Sequence, residues 1–205
     1  MVISGSAGLL PFTIFAFTGA LTPGPNNTIA MLTGAHRGLR AALPHLLGVP
    51  TGFALMTLLM GTGLGALLAA LPAWSLALQV GGAAYLLYLA WRLASSPVSA
   101  GSPDAPFREL SFLQSVAFQF SNPKAWALSL GTVTVFAAQS GARLAAVMAI
   151  WSVANVLSIG VWAVAGQALI GLLSTPTRRR AFNIVMAALL AGTALAGLAA
   201  SVYRA

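Results

Sequence analysis

Residues Thr22-Pro23-Gly24-Pro25-Asn26-Asn27 lie inside an apolar run, 3–33, that otherwise reads as one membrane helix. Each proline lacks a backbone N–H, and its ring clashes with the carbonyl four residues back. Two prolines this close cannot both sit in an unbroken helix. Gly24 adds backbone freedom. Thr22 and Asn26 are residue types that cap a helix restarting near Asn27. The run therefore reads as two helical pieces with a polar break between them. In lipid, broken backbone survives only where protein or a water-filled cavity satisfies it. A second reading is a turn at the membrane surface, because residues 5–21 alone reach roughly 25 Å at 1.5 Å per residue.

The rest of the chain offers no aqueous domain to hold such a break. Of 205 residues, 59% are hydrophobic and 6% charged, against about 25% charged in soluble domains. The mean hydropathy is +0.90. The whole chain, 1–205, reads as a single all-α polytopic membrane domain. With no cysteine there is neither a disulfide nor a thiolate metal site. The net charge of +8 reads as topology signals in short loops and not as a nucleic-acid surface. No Lys or Arg precedes Arg37, so a cleaved leader with a basic n-region is not expected and the first helix is read as retained.

A crossing helix needs roughly 20 mostly apolar residues. Six candidates satisfy this: about 9–33 with its break, 43–71 with a kink expected at Pro50, 73–93 after Pro72, 111–138, 144–173 and 182–203. The fourth is broken at Asn122-Pro123-Lys124. Residues 34–40 read as a basic loop, 95–110 as the longest polar loop and 175–180 as a turn with three arginines. With an outside N-terminus, the inner loops hold seven basic residues (Arg37, Arg40, Arg92, Arg108, Arg178, Arg179, Arg180) and the outer segments two, Arg143 and Arg204. The positive-inside rule then sets both termini outside. If the broken first helix does not span, the N-terminus moves inside.

The two halves, about 1–93 and 111–205 with 94–110 as linker, repeat one plan. Each opens with a proline-broken helix, then a glycine and arginine turn (Gly38-Leu39-Arg40, Gly141-Ala142-Arg143), then two more helices. Three helices per half is an odd number, so the halves insert in opposite orientations. An inverted 3+3 repeat with paired interrupted helices points to a secondary transporter whose site lies at the breaks.

Several residues within the spans carry chemistry. The restarted first helix presents N–H groups and a positive dipole end that suit a carboxylate. A lysine inside a span is costly and marks function by default, so Lys124 is a candidate partner for an anionic group. The alternative is snorkelling of its ammonium to the surface. Asn122 is placed to cap the helix that follows, and Gln119, three residues earlier, shares its face. His45 can exchange protons near neutral pH, although a packed histidine is the plainer reading. Asn155 and Asn183 either line a polar path or bond between helices. The pairs Gly34/Gly38, Gly48/Gly52 and Gly61/Gly65 read as close helix packing.

Both acids, Asp104 and Glu109, fall in the 95–110 loop. Carboxylate catalysis, a metal cluster and a Ser-His-acid set inside the membrane all lack their acid. There is no phosphate-binding glycine loop followed by Lys-Ser or Lys-Thr. Neither an enzyme nor an ATP-driven motor is expected, and no cofactor or metal.

Thr22-Pro23-Gly24-Pro25-Asn26, the glycine steps Gly34, Gly38, Gly48 and Gly52, and Asn122-Pro123-Lys124 together resemble the LysE/RhtB family of amino-acid exporters. The resemblance covers nearly the whole chain. It implies a permease of the bacterial inner membrane that exports amino acids or related metabolites, driven by the proton gradient. Some relatives that export basic amino acids carry an acid in the second segment. Gly48-Val49-Pro50-Thr51-Gly52 has none here, so neutral zwitterions are the expected cargo. A passive channel or an ion exporter of related fold is the alternative, and a homo-oligomer is left open.

The lack of native cysteine makes the topology directly testable. A cysteine introduced at Ser4 should react with an impermeant thiol reagent from the outside of intact cells. Labelling confined to the cytoplasmic side would sink the outside N-terminus.

Overall fold

In the computed structural model, residues 9–61, 72–95, 109–136, 141–169 and 171–202 are described, and they are all helix, turn or short extended connection. Eight helices follow in order: α1 (Leu9–Leu21), α2 (Pro25–Arg37), α3 (Leu39–Leu59), α4 (Pro72–Ala94), α5 (Phe112–Ser121), α6 (Pro123–Phe136), α7 (Gly141–Leu169) and α8 (Pro176–Val202). Leu39–Leu59, Leu144–Leu169 and Pro176–Ala199 are each long and apolar enough to cross a bilayer. The expected spans 9–33 and 111–138 are each two helices, α1 with α2 and α5 with α6, parted where the prolines fall. Residues 62–71, most of the 95–110 loop, and Gly65 lie outside the described set.

Local sequence explains most boundaries. Pro25 begins α2 at its first position, where a missing N–H costs nothing. The residue before it, Gly24, is the N-cap, and no side chain caps this helix. The capping roles expected of Thr22 and Asn26 are therefore wrong. The Thr22 hydroxyl instead donates back to the Thr18 carbonyl, 2.5 Å, and Asn26 is drawn into a tertiary pair described below. Ser111 forms a reciprocal capping box with Gln114 at the start of α5.

Two basic stretches expected as loops are largely helical. Residues 34–40 contain one non-helical residue, Gly38, between α2 and α3. Its φ of +82° suits glycine and turns the chain in a single residue. The three arginines at 178–180 lie in the first turns of α8, because Thr175 caps that helix through the Arg178 N–H (3.3 Å) and Pro176 begins it. Pro44 and Pro50 both sit inside α3 without ending it.

The molecule buries many polar side chains among its apolar core and exposes large apolar ones. Asn27, Thr28, His45, Gln119, Asn122, Asn155, Ser158 and Asn183 are buried, while Leu10, Ile14, Leu43, Leu47, Leu113, Val153, Leu157 and Val161 are exposed. An aqueous surface does not carry so many large apolar side chains. In a bilayer the pattern is natural, since lipid offers no reward for burying them and polar groups must find partners within the protein.

α2 runs through the middle and packs against α7, α3 and α8, while α4 packs along α8 and α5 along α3. Trp151 of α7 joins α1 to α3 through aromatic contacts with Phe12 and Phe15 of α1 and Phe53 of α3, at ring-centre distances of 6.2, 5.9 and 4.6 Å. Small residues set the closest approaches. A Cβ at Gly34 would overlap the Ala163 backbone, and one at Gly166 would overlap the Met31 backbone, so α2 and α7 touch through main chain at two levels. Gly48 and Gly52 meet the backbone of α5 in the same way. Gly38 and Gly61 meet nothing within 4 Å, so the packing role expected of them is wrong.

Gly166→Ala should lower the stability of detergent-solubilised protein by about 1–3 kcal/mol, because neither backbone can yield. Gly192→Ala, where an added Cβ meets nothing within 4 Å, should stay within about 0.5 kcal/mol. Thermal unfolding of both variants checks the contrast, and equal shifts would remove the backbone-contact account.

Candidate functional site

The carbonyl end of α1 stops at the first break, where its last acceptors have no helical partner. Four side chains supply the donors. Asn27 Nδ2 lies 2.8 Å from the Ala20 carbonyl oxygen and 2.9 Å from that of Thr22. Ser158 Oγ of α7 is 2.8 Å from the Ala20 oxygen and 3.1 Å from Asn27 Oδ1. Trp162 Nε1 donates to the Leu21 carbonyl at 3.2 Å. Lys124 Nζ donates to the Thr22 carbonyl. A cation at the C-terminal end of a helix is favourably placed on the macrodipole.

The second break is built to deliver that lysine. Asn122 has an extended backbone, φ −96° and ψ 107°, and closes α5. Its side-chain oxygen accepts from the Lys124 N–H at 3.1 Å, the helix-start cap expected of it. Pro123 opens α6 and Lys124 follows as its second residue. The side chain then crosses to the first break over Gly24. A Cβ there would stand 2.9 Å from Lys124 Cδ and 3.2 Å from Nζ. Gly24 has an extended backbone that any residue adopts, so the need for glycine lies in this approach. The side chain, half-buried, reaches across to the first break.

A second bridge joins the breaks. Asn26 Nδ2 donates to Gln119 Oε1 at 2.9 Å, and Gln119 Nε2 returns a bond to Asn26 Oδ1 at 3.2 Å. Gln119 also donates to the Ser115 carbonyl at 2.9 Å. His45, 1% exposed, has both ring nitrogens engaged, Nδ1 with Ser115 Oγ at 2.9 Å and Nε2 with the Asn26 carbonyl at 3.1 Å. It buttresses Asn26 from behind.

Thr22, Pro23, Gly24, Pro25, Asn26 and Asn27 thus meet Asn122, Pro123 and Lys124, with Gln119 between and His45 in the next layer. Between the breaks lies a cavity of about 20 Å³ lined by Gly24, Asn26, Asn27, Gln119, Asn122, Lys124 and Asn155. That is room for about one water, too little for an amino acid. Asn183 is elsewhere. Its Oδ1 pairs with His36 Nε2 at 3.2 Å, next to Arg37 and its partner Glu109 (3.4 Å). Burial holds the His36 imidazole below its ordinary range, against the bond to the Asn183 amide oxygen. Asn183 therefore bonds between helices and does not share a path with the breaks.

Ser115, Ser158 and Trp162 were not anticipated. A face-by-face reading would have found them. Asn155, Ser158 and Trp162 follow at helical spacing on α7, and Ser115 lies one turn before Gln119.

Residues 17–200 match the family described as LysE: LysE type translocator. The chain is 31% identical to the cysteine/O-acetylserine efflux protein of Escherichia coli (strain K12) over 186 residues, 89% of this chain and 93% of that one. The counterpart in Shigella flexneri gives the same figures. Over a shorter stretch of 114 residues, 55% of this chain and 57% of the relative, it is 38% identical to the cysteine/O-acetylserine efflux protein of Klebsiella pneumoniae. No solved structure matches the chain significantly. With interrupted helices meeting in an apolar bundle and a family match that covers nearly its whole length, this chain is a membrane protein of the LysE type translocator family.

Proposed function

We propose that the chain is a permease that exports amino acids or related small zwitterions, neutral ones foremost, across a bacterial inner membrane, driven by the proton gradient. The observation that carries this is the meeting of the two breaks, with a lysine ammonium and five amide side chains around a closed polar cavity. Relatives named for cysteine and O-acetylserine efflux support the cargo class. In this reading six crossings form an inverted 3+3 repeat with both termini outside, and the breaks lie near the midplane.

The chemistry follows from which partners are full charges. In the closed state the Lys124 ammonium rests on neutral carbonyl dipoles. An entering carboxylate offers a stronger acceptor, so Lys124 transfers from Thr22 to the substrate as the breaks part. No acid lies among the cavity-lining residues. A cationic cargo side chain would stand there without an anionic partner, which is costly in a dry site. That is the basis for neutral cargo.

Opening to either side must separate Asn26 from Gln119 and Lys124 from Thr22. These contacts are polar and few, so they can exchange for substrate contacts at little net cost. The glycine-mediated backbone contacts between α2 and α7 are not exchangeable in this way. α2 and α7 are therefore expected to move together, and α5 with α6 to move against them.

Counterflow in proteoliposomes tests the reading. Preloaded cysteine or O-acetylserine should accelerate entry of the labelled compound, whereas a passive channel or an ion exporter gives no such exchange. Transport confined to lysine and arginine would overturn the neutral cargo. Lys124→Met keeps much of the stem and removes the charge. It should lower transport about tenfold or more, the equivalent of roughly 1.5–3 kcal/mol for a charged hydrogen bond, in protein that reaches the membrane at normal levels. Lys124→Arg should recover part, because its planar fork fills a different space. Wild-type transport by Lys124→Met would end the charge-pair role.

A further inference from the structure

Five amide side chains line the cavity between the breaks, and four of them are committed to protein partners. Asn27 holds the α1 carbonyls. Asn26 and Gln119 hold each other. Asn122 caps the Lys124 N–H. Asn155 differs. Its side chain is buried, at 8% exposure, it borders the cavity, and its Nδ2 has no hydrogen-bond partner among the described residues.

A buried amide donor left unpaired is costly. Most side chains in its position bond to a neighbouring helix, as Asn183 does with His36 and as Ser158, one turn along on the same helix face, does with Ala20. The orphan donor shares its cavity with the one ammonium on the site, Lys124 Nζ. No second charged group lines the cavity, and the nearest titratable partner in the network, His45, is shielded behind Asn26. Two donors on one cavity, one charged and one neutral, are the complement of a carboxylate.

We infer that Asn155 is a specificity-determining residue of this site: its amide N–H group donates to the carboxylate of the cargo beside Lys124, and so selects α-amino acids over amines that lack the carboxylate. This rests on the amino-acid export proposed above and names how the cargo is oriented. The carboxylate faces Asn155 and Lys124. The arrangement explains why a site in the middle of an apolar bundle keeps one polar donor unpaired. The partner arrives with the substrate.

The test uses cysteine and cysteamine, which differ by the carboxylate. Both are assayed as competitors of labelled cysteine counterflow in proteoliposomes, under reducing conditions, for the wild type, Asn155→Ala and Asn155→Asp. The wild type should prefer cysteine. Asn155→Ala should lower that preference about tenfold or more, as the loss of one hydrogen bond to a charged group predicts. Asn155→Asp, nearly the same shape but acceptor in place of donor, should lower it further by repelling the carboxylate. A general loss of stability lowers both compounds alike and leaves the ratio unmoved, so an unchanged ratio in both variants overturns the assignment. The same unchanged ratio is expected if Asn155 merely holds an ordered water. Should either variant be too unstable to reconstitute, thermal stabilisation of the detergent-solubilised protein by cysteine relative to cysteamine gives the same ratio. A wild type that shows no counterflow with any amino acid overturns the export function itself, and this assignment with it. A wild type that exchanges cysteine while both variants keep its selectivity overturns only the role of Asn155.

Discussion

The fold depends on satisfying the last carbonyls of α1. Two prolines end that helix, and three acceptors are left without helical partners. Asn27, Ser158, Trp162 and Lys124 supply the donors from three different helices. A backbone acceptor left unmade is costly wherever it is shielded, so the donors hold the break in place. That single requirement draws α2, α6 and α7 to the end of α1 and fixes where the two interrupted helices meet.

The same requirement explains the division of labour among polar residues. Those that hold backbone, such as Asn27 and Ser158, are structural even though Asn27 borders the cavity. Those that hold each other across the breaks, Asn26 and Gln119, form a latch of neutral hydrogen bonds. Each such bond has a small net worth, which suits contacts that a transport cycle breaks and remakes. Gly24 matters because it leaves space for the Lys124 stem, and Gly34 and Gly166 because backbone must approach backbone. Similar letters in the sequence thus serve different physical ends.

His45 and Lys124 hold different places in the network. His45 is enclosed with both ring nitrogens bonded, and its geometry is that of a support for the Asn26 carbonyl. Lys124 lies on the cavity itself. Its position at the start of α6 is electrostatically unfavourable for a cation, and the C-terminal end of α1 compensates. A charge balanced by dipoles alone remains available to a stronger anionic partner.

Much of this was legible in the sequence because it follows from local rules. Hydrophobic runs, the prolines at 23, 25 and 123, and the Asn-Pro-Lys order set the helices, the two breaks and the cap at Asn122 before any tertiary contact forms. The family motif was equally legible. The sequence misread the caps at Thr22 and Asn26 and the loops at 34–40 and 175–180, where a one-residue glycine turn and a Thr-Pro helix start do the work of longer connections. The tertiary structure alone decided which amide bonds to which. Asn26, Asn27, Gln119, Asn155 and Asn183 have the same chemistry and similar apolar surroundings in the chain, and only the crossing of helices far apart in sequence assigns a partner to four of them and leaves Asn155 Nδ2 without one. Periodicity places a side chain on a face; what stands opposite that face is a long-range fact, set here by where glycines let α2 and α7 meet.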